Sequence, residues 1–96
     1  MKLLLLIYSG PTPHRISALL EAHDAPGYTE FTNARGAGPT GRMEGSRVWP
    51  GTANVFLSVV PDGRVAELRE AIQAYRAGTA EGEHLHVAVI PTEDYV

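Results

Sequence analysis

The run Leu3-Leu4-Leu5-Leu6-Ile7, closed by Tyr8-Ser9-Gly10-Pro11, constrains this chain more than any other segment. It falls far short of the roughly 20 apolar residues that span a bilayer. It also lacks the full apolar core and small-residue cleavage site of a secretion signal, although Met1 and Lys2 imitate the start of one. It reads as a buried first strand. With a side-chain period of two, Leu3, Leu5 and Ile7 share one face and Leu4, Leu6 and Tyr8 the other, so the strand is apolar on both sides and needs cover on both.

The remaining elements follow from periodicity and punctuation. Thr12 offers a helix cap and Pro13 the fixed φ of a first helical turn. Ile16, Leu19, Leu20 and His23 then share one helical face, until Asp24-Ala25-Pro26-Gly27 ends the helix. Residues 28–35, rich in aromatic and β-branched side chains, read as a second strand. Residues 36–51 hold five glycines and two prolines without apolar periodicity, and read as a long loop with neither helix nor strand. A third strand covers 52–60, and Asp62 is the expected cap of a second helix whose Val65, Leu68, Ile72 and Tyr75 share a face. Gly78 to Gly82 breaks that helix, and the alternation from His84 to Ile90 makes a fourth strand ending at Pro91.

The order is βαββαβ, an α+β ferredoxin-like arrangement: a four-stranded antiparallel sheet with two helices on one face. Ninety-six residues support one modest core, so residues 1–96 are expected to form one domain. Two helices cover only one face of the sheet. Because the third strand, with Val55, Leu57 and Val59 opposite Phe56 and Val60, repeats the two-sided apolar pattern, the second face is expected to be covered by another subunit.

Eight Lys and Arg against 11 Asp and Glu give a net charge of -3, which does not suit a nucleic-acid-binding surface. The absence of cysteine removes disulfides and thiolate chemistry, and suits a cytoplasmic protein without membrane insertion. Chemistry concentrates in loop 36–51. Gly36-Ala37-Gly38-Pro39-Thr40-Gly41 matches GxGxxG, yet it lies between two strands, whereas a dinucleotide fingerprint leads directly into a helix. Its backbone N–H groups, with Arg35, Arg42 and Arg47, suit an anion; a solvated loop is the plain alternative. Trp49 reads either as a stacking surface or as the anchor of the loop's end. His84 and His86, two apart on a strand, share a face that suits two ligands of a metal, with Glu81 or Glu83 as a further donor, or else a surface pair. No nucleophile elbow, HExxH or Walker sequence is present, so no pattern compels an enzyme.

The element order, the run Gly27-Tyr28-Thr29-Glu30-Phe31-Thr32-Asn33-Ala34-Arg35-Gly36-Ala37-Gly38-Pro39-Thr40-Gly41 and the turn Val60-Pro61-Asp62 resemble the nitrogen-regulatory PII signalling proteins, over nearly the whole chain to Ile90. The resemblance implies a homotrimer with small-ligand sites in clefts between subunits. It also implies that loop 36–51 corresponds to the T-loop, which contacts a target protein. It places ligand contacts at Thr29, Arg35, Gly36, Gly38, Gly41, Arg42 and Arg47, and at Glu81, Gly82 and His84 of the turn before the last strand. The chain departs from the family at Pro39, where a basic residue is usual, and in a shorter loop without the modifiable tyrosine, so uridylylation is not expected. Where the family has a glycine-rich phosphate turn, Glu81 and Glu83 place carboxylates, and tight ATP binding is not expected. The family's basic C-terminal tail is replaced by Pro91-Thr92-Glu93-Asp94-Tyr95-Val96.

The expected function is a PII-like trimeric regulator sensing a small ligand, not an enzyme, with no cofactor named by the sequence. Two alternatives remain: a metal-binding trimer like the divalent-cation-tolerance proteins, using His84 and His86, or a small ferredoxin-like enzyme such as a cofactor-free monooxygenase.

Overall fold

The computed structural model describes residues 1–23, 25, 27–38, 41–43 and 53–96. In chain order the elements are β1 (Lys2–Ser9), α1 (His14–Ala22), β2 (Thr29–Ala34), β3 (Gly36–Gly38), β4 (Gly41–Met43), β5 (Ala53–Val60), α2 (Asp62–Ala77) and β6 (His84–Pro91). Four strands form an antiparallel sheet in the order β2-β5-β1-β6, and β3 and β4 form a separate hairpin. With two helices on the sheet, this is the βαββαβ ferredoxin-like arrangement.

Register determines which apolar set becomes the core. Leu4, Leu6 and Tyr8 pair with Ser58, Phe56 and Asn54 on one side and with Val89, Val87 and Leu85 on the other. Leu4, Leu6, Tyr8, Phe56, Val60 and Leu85 are buried in one cluster with Ile16 and Leu20 of α1 and Leu68 and Ile72 of α2. Each such side chain contributes about 1.5–3 kcal/mol by leaving water. On the reverse face Leu3, Leu5, Ile7, Val55, Leu57 and Val59 are only half-buried, and Phe31 and Ile90 stand exposed at the edges.

Three local expectations are corrected. The Thr12 side chain does not cap α1; the N-cap position is Pro13, because the Thr12 hydroxyl is taken up by the Tyr8 hydroxyl at 3.1 Å. Asp62 is the first residue of α2 rather than its cap, which is Pro61, and its carboxylate pairs with the amino group of Met1 at 2.9 Å. Residues 36–51 are not devoid of strand. Gly36 pairs with Met43, Ala37 with Arg42 and Gly38 with Gly41, a pairing that backbone groups make without apolar side chains to announce it. The second strand is broken by a register shift between Phe31 and Ala34, where Asn33 takes φ 58, a left-handed conformation that asparagine tolerates better than most residues.

Candidate functional site

The antiparallel order brings the end of β1, the end of β2 and the starts of β5 and β6 to one end of the sheet. Arg35 follows β2 directly and leads into the β3–β4 hairpin, so Arg35, Gly36, Gly38, Gly41 and the backbone of Arg42 gather at that end. Glu81, Gly82 and His84 stand at the same end, before and at the start of β6. These two groups are not adjacent within one protomer. β2 and β6 are the outermost strands, three inter-strand spacings apart, or about 14 Å. Thr29 opens β2 opposite Leu57, at the far end of the strand from Arg35. Arg47 and Trp49 lie outside the described residues.

The turn before β6 is built around Glu83. The Glu83 amide donates to the Ala80 carbonyl at 3.1 Å, and the Ala80 amide donates to Glu83 Oε1 at 3.1 Å, so the turn is closed from both sides. Gly82, third in this four-residue turn, has φ 85, where a side chain would be strained. The other carboxylate oxygen, Oε2, accepts from the Tyr8 hydroxyl at 2.5 Å and from the Tyr75 hydroxyl at 2.8 Å. The Thr12 amide donates to the Tyr8 oxygen at 3.2 Å, and the Tyr8 and Tyr75 rings meet edge to face at 6.5 Å. The Arg15 guanidinium lies 5.5 Å above the Tyr75 ring, a cation–π contact. A Cβ at Gly10 would fall 2.5 Å from the Tyr8 hydroxyl oxygen and 3.0 Å from Glu83 Cγ, so the chain passes this cluster as glycine.

The electrostatics follow from these contacts. The Tyr8 hydroxyl above all, with Tyr75, the Ala80 amide and the nearby charge of Arg15, holds the Glu83 carboxyl below its ordinary value against the opposing effect of burial. Burial first, and then the bond to Glu83, push the Tyr75 hydroxyl up to about 12. Glu83 is therefore an ionised group turned into the fold, and the exposed carboxylate of the turn is Glu81. The expectation that both acids face an approaching anion is corrected for Glu83. Sequence reasoning did not find Tyr8 and Tyr75 as partners, although two tyrosines at core-facing positions each require an acceptor for the hydroxyl.

His84 and His86 occupy alternate positions of β6 and point to one face, His86 opposite Ile7. Among the described residues, no group of three or more His, Cys, Asp or Glu side chains converges on one point. A cavity of about 590 Å³ opens on the half-buried sheet face between Leu3, Leu57, Val59 and Thr29, with Tyr95 at its rim. Among the described residues, this cavity is lined by apolar and hydroxyl groups and holds no acid–base pair. No helix of the described residues is long and apolar enough to cross a membrane.

No family model and no curated protein matches the chain. Its fold is shared with solved PII-like proteins. CPII, a nitrogen regulatory PII-like protein from Thiomonas intermedia K12, bound to ADP, AMP and bicarbonate, superposes with a TM-score of 0.68 at 24% identity, over 93% of this chain and 86% of that one. The same protein bound to ADP and bicarbonate gives 0.67 at 25% identity, over 93% and 86%. A Thermus thermophilus protein put forward as a PII-like signaling protein gives 0.62 at 21% identity, over 93% of this chain and 84% of that one. The structural neighbours are thus PII-like proteins, which share the fold of this chain at low sequence identity.

Proposed function

We propose that this chain is a PII-like ligand-sensing regulator rather than an enzyme: one cytoplasmic domain that works as a homotrimer, binds a small ligand between subunits and meets a target protein through loop 36–51. The fold shared with CPII supports this reading, and by the same likeness we assign it to nitrogen regulation.

One observation carries it. Arg35 to Gly38, with Gly41, and the turn at Glu81 to His84 lie at the same end of the sheet but on its opposite edges. A small molecule reaches both only when β2 of one subunit approaches β6 of another. The half-buried apolar face at Leu3, Leu5, Ile7, Val55, Leu57 and Val59 supplies a reason for subunits to approach. Among the described residues, the metal-binding reading has two imidazoles where a structural zinc site takes four ligands, and the enzyme reading has no acid–base pair in the cavity.

Charge sets the ligand class. CPII binds ADP, AMP and bicarbonate; here the arginines favour an anion while Glu81 opposes one of high charge, so AMP, ADP or bicarbonate binds better than ATP. Light scattering and calorimetry with these four ligands test the proposal. About three subunits per particle and binding of AMP, ADP or bicarbonate support it. A monomer at micromolar concentration that binds none of them overturns it, and ATP binding tighter than the others overturns the charge argument.

A further inference from the structure

Glu83 is the joint between the turn and the rest of the fold. Four of its contacts run to three separate elements: Tyr8 at the end of β1, Tyr75 near the end of α2, and the amide and carbonyl of Ala80 within the turn itself. Thr12, just before α1, is tied to the same centre through Tyr8. Gly82 is held in a left-handed conformation inside this frame, and His84 leaves it as the first residue of β6.

We propose that Glu83 is a positioning residue of the ligand site, its carboxylate acting with Tyr8, Tyr75 and the Ala80 amide to hold residues 80–83 in the shape that presents Gly82 and His84 to the inter-subunit cleft. This rests on the ligand-sensing reading above for its consequence, but not for its geometry. A carboxylate suits the place because it accepts from three donors at once and has no proton of its own to place. Glutamine keeps the size but offers one acceptor oxygen, so the tyrosine hydroxyls and the Ala80 amide compete for it. Aspartate keeps the charge and loses the reach. The two substitutions separate position from charge. If Glu83 merely repelled an anion, Glu83→Gln would strengthen anion binding; if it positions the turn, both Glu83→Gln and Glu83→Asp weaken it.

Hydrogen exchange of the turn amides and calorimetry with ADP, on the full chain, test this. Glu83→Gln and Glu83→Asp are expected to exchange at the amides of residues 80–84 at least tenfold faster than the parent protein, and to bind ADP about tenfold more weakly. Val60→Ala, a core change at the end of the sheet opposite the turn, where Val60 pairs with Lys2 and Lys2 with Pro91, serves as the control: it lowers the melting temperature and leaves both readouts unchanged. Tyr75→Phe, which removes one donor and leaves the Tyr8 bond, shifts both readouts in the same direction by less, and stands in where a Glu83 variant does not fold. Turn exchange equal to that of the parent protein, or tighter ADP binding in Glu83→Gln, overturns the proposal. If the parent protein itself binds no ADP, ADP is removed from the ligands named above, and turn exchange alone decides the role of Glu83.

Discussion

The two faces of the sheet carry nearly the same residues and meet different fates. Phe56 and Leu57 are neighbours in β5, yet Phe56 is fully buried beneath the helices while Leu57 is half-buried beside the open cavity. Likewise Leu4 and Leu6 lie in the core, and Leu3 and Leu5 look out from the other side of the same strand. An apolar side chain by itself therefore does not define the core here. The helices do, because among the described residues they supply the second wall that one face has and the other lacks.

The largest expected effect sits on the covered face. Phe56→Ala should cost about 3–5 kcal/mol in urea unfolding, since the surrounding helices and strands cannot close the void. Leu57→Ala, one residue away, should cost a protomer well under half of that. Equal losses at both positions would erase the distinction between the faces. Next in size is the effect on the proposed trimer: Leu5→Asp on the open face should leave the protomer folded and, where that face is the proposed interface, shift light scattering from trimer to monomer, because a carboxylate placed between subunits would be desolvated without a partner. An unchanged particle mass would mean that subunits meet elsewhere. Leu6→Asp, by contrast, should prevent folding altogether.

Smaller effects come from the Glu83 cluster, which anchors the covered face at one end. The Glu83 carboxyl is held below its ordinary value, so its stabilising contribution is present above the unfolded value near 4.5 and is lost as pH falls through the folded value. Tyr75 works in the opposite sense: raised to about 12, its contribution is present below the ordinary value of 10 and is lost as pH climbs toward 12. Melting temperatures should therefore decline on both limbs, and Glu83→Gln should flatten the acid one. An acid limb of unchanged steepness in that variant would assign it to other carboxylates. The smallest change is Tyr75→Phe, about 1.5 kcal/mol at neutral pH, the low end for a hydroxyl bond to a charged acceptor, because the carboxylate keeps its other partners.

Much of this molecule was legible in its residues. The period-two alternation in β1 and β5, the three-and-four spacing of Ile16, Leu19 and Leu20 and of Leu68, Ile72 and Tyr75, and the glycine and proline breaks suffice for the element order and hence for the ferredoxin-like sheet. These are local signals, because periodicity reports which side of an element meets apolar surroundings, whatever those surroundings are. They also showed that the sheet has two apolar faces. Tertiary structure alone decided which face the helices take, since a strand apolar on both sides is compatible with either. It alone turned Glu83 inward: a carboxylate among Ala80-Glu81-Gly82-Glu83-His84 looks solvated until Tyr8 and Tyr75, 75 and 8 residues away in sequence, arrive with two hydroxyl donors. The same holds for Thr12 and Asp62, whose side chains left the capping positions that their residue types favour for partners only the folded chain brings near.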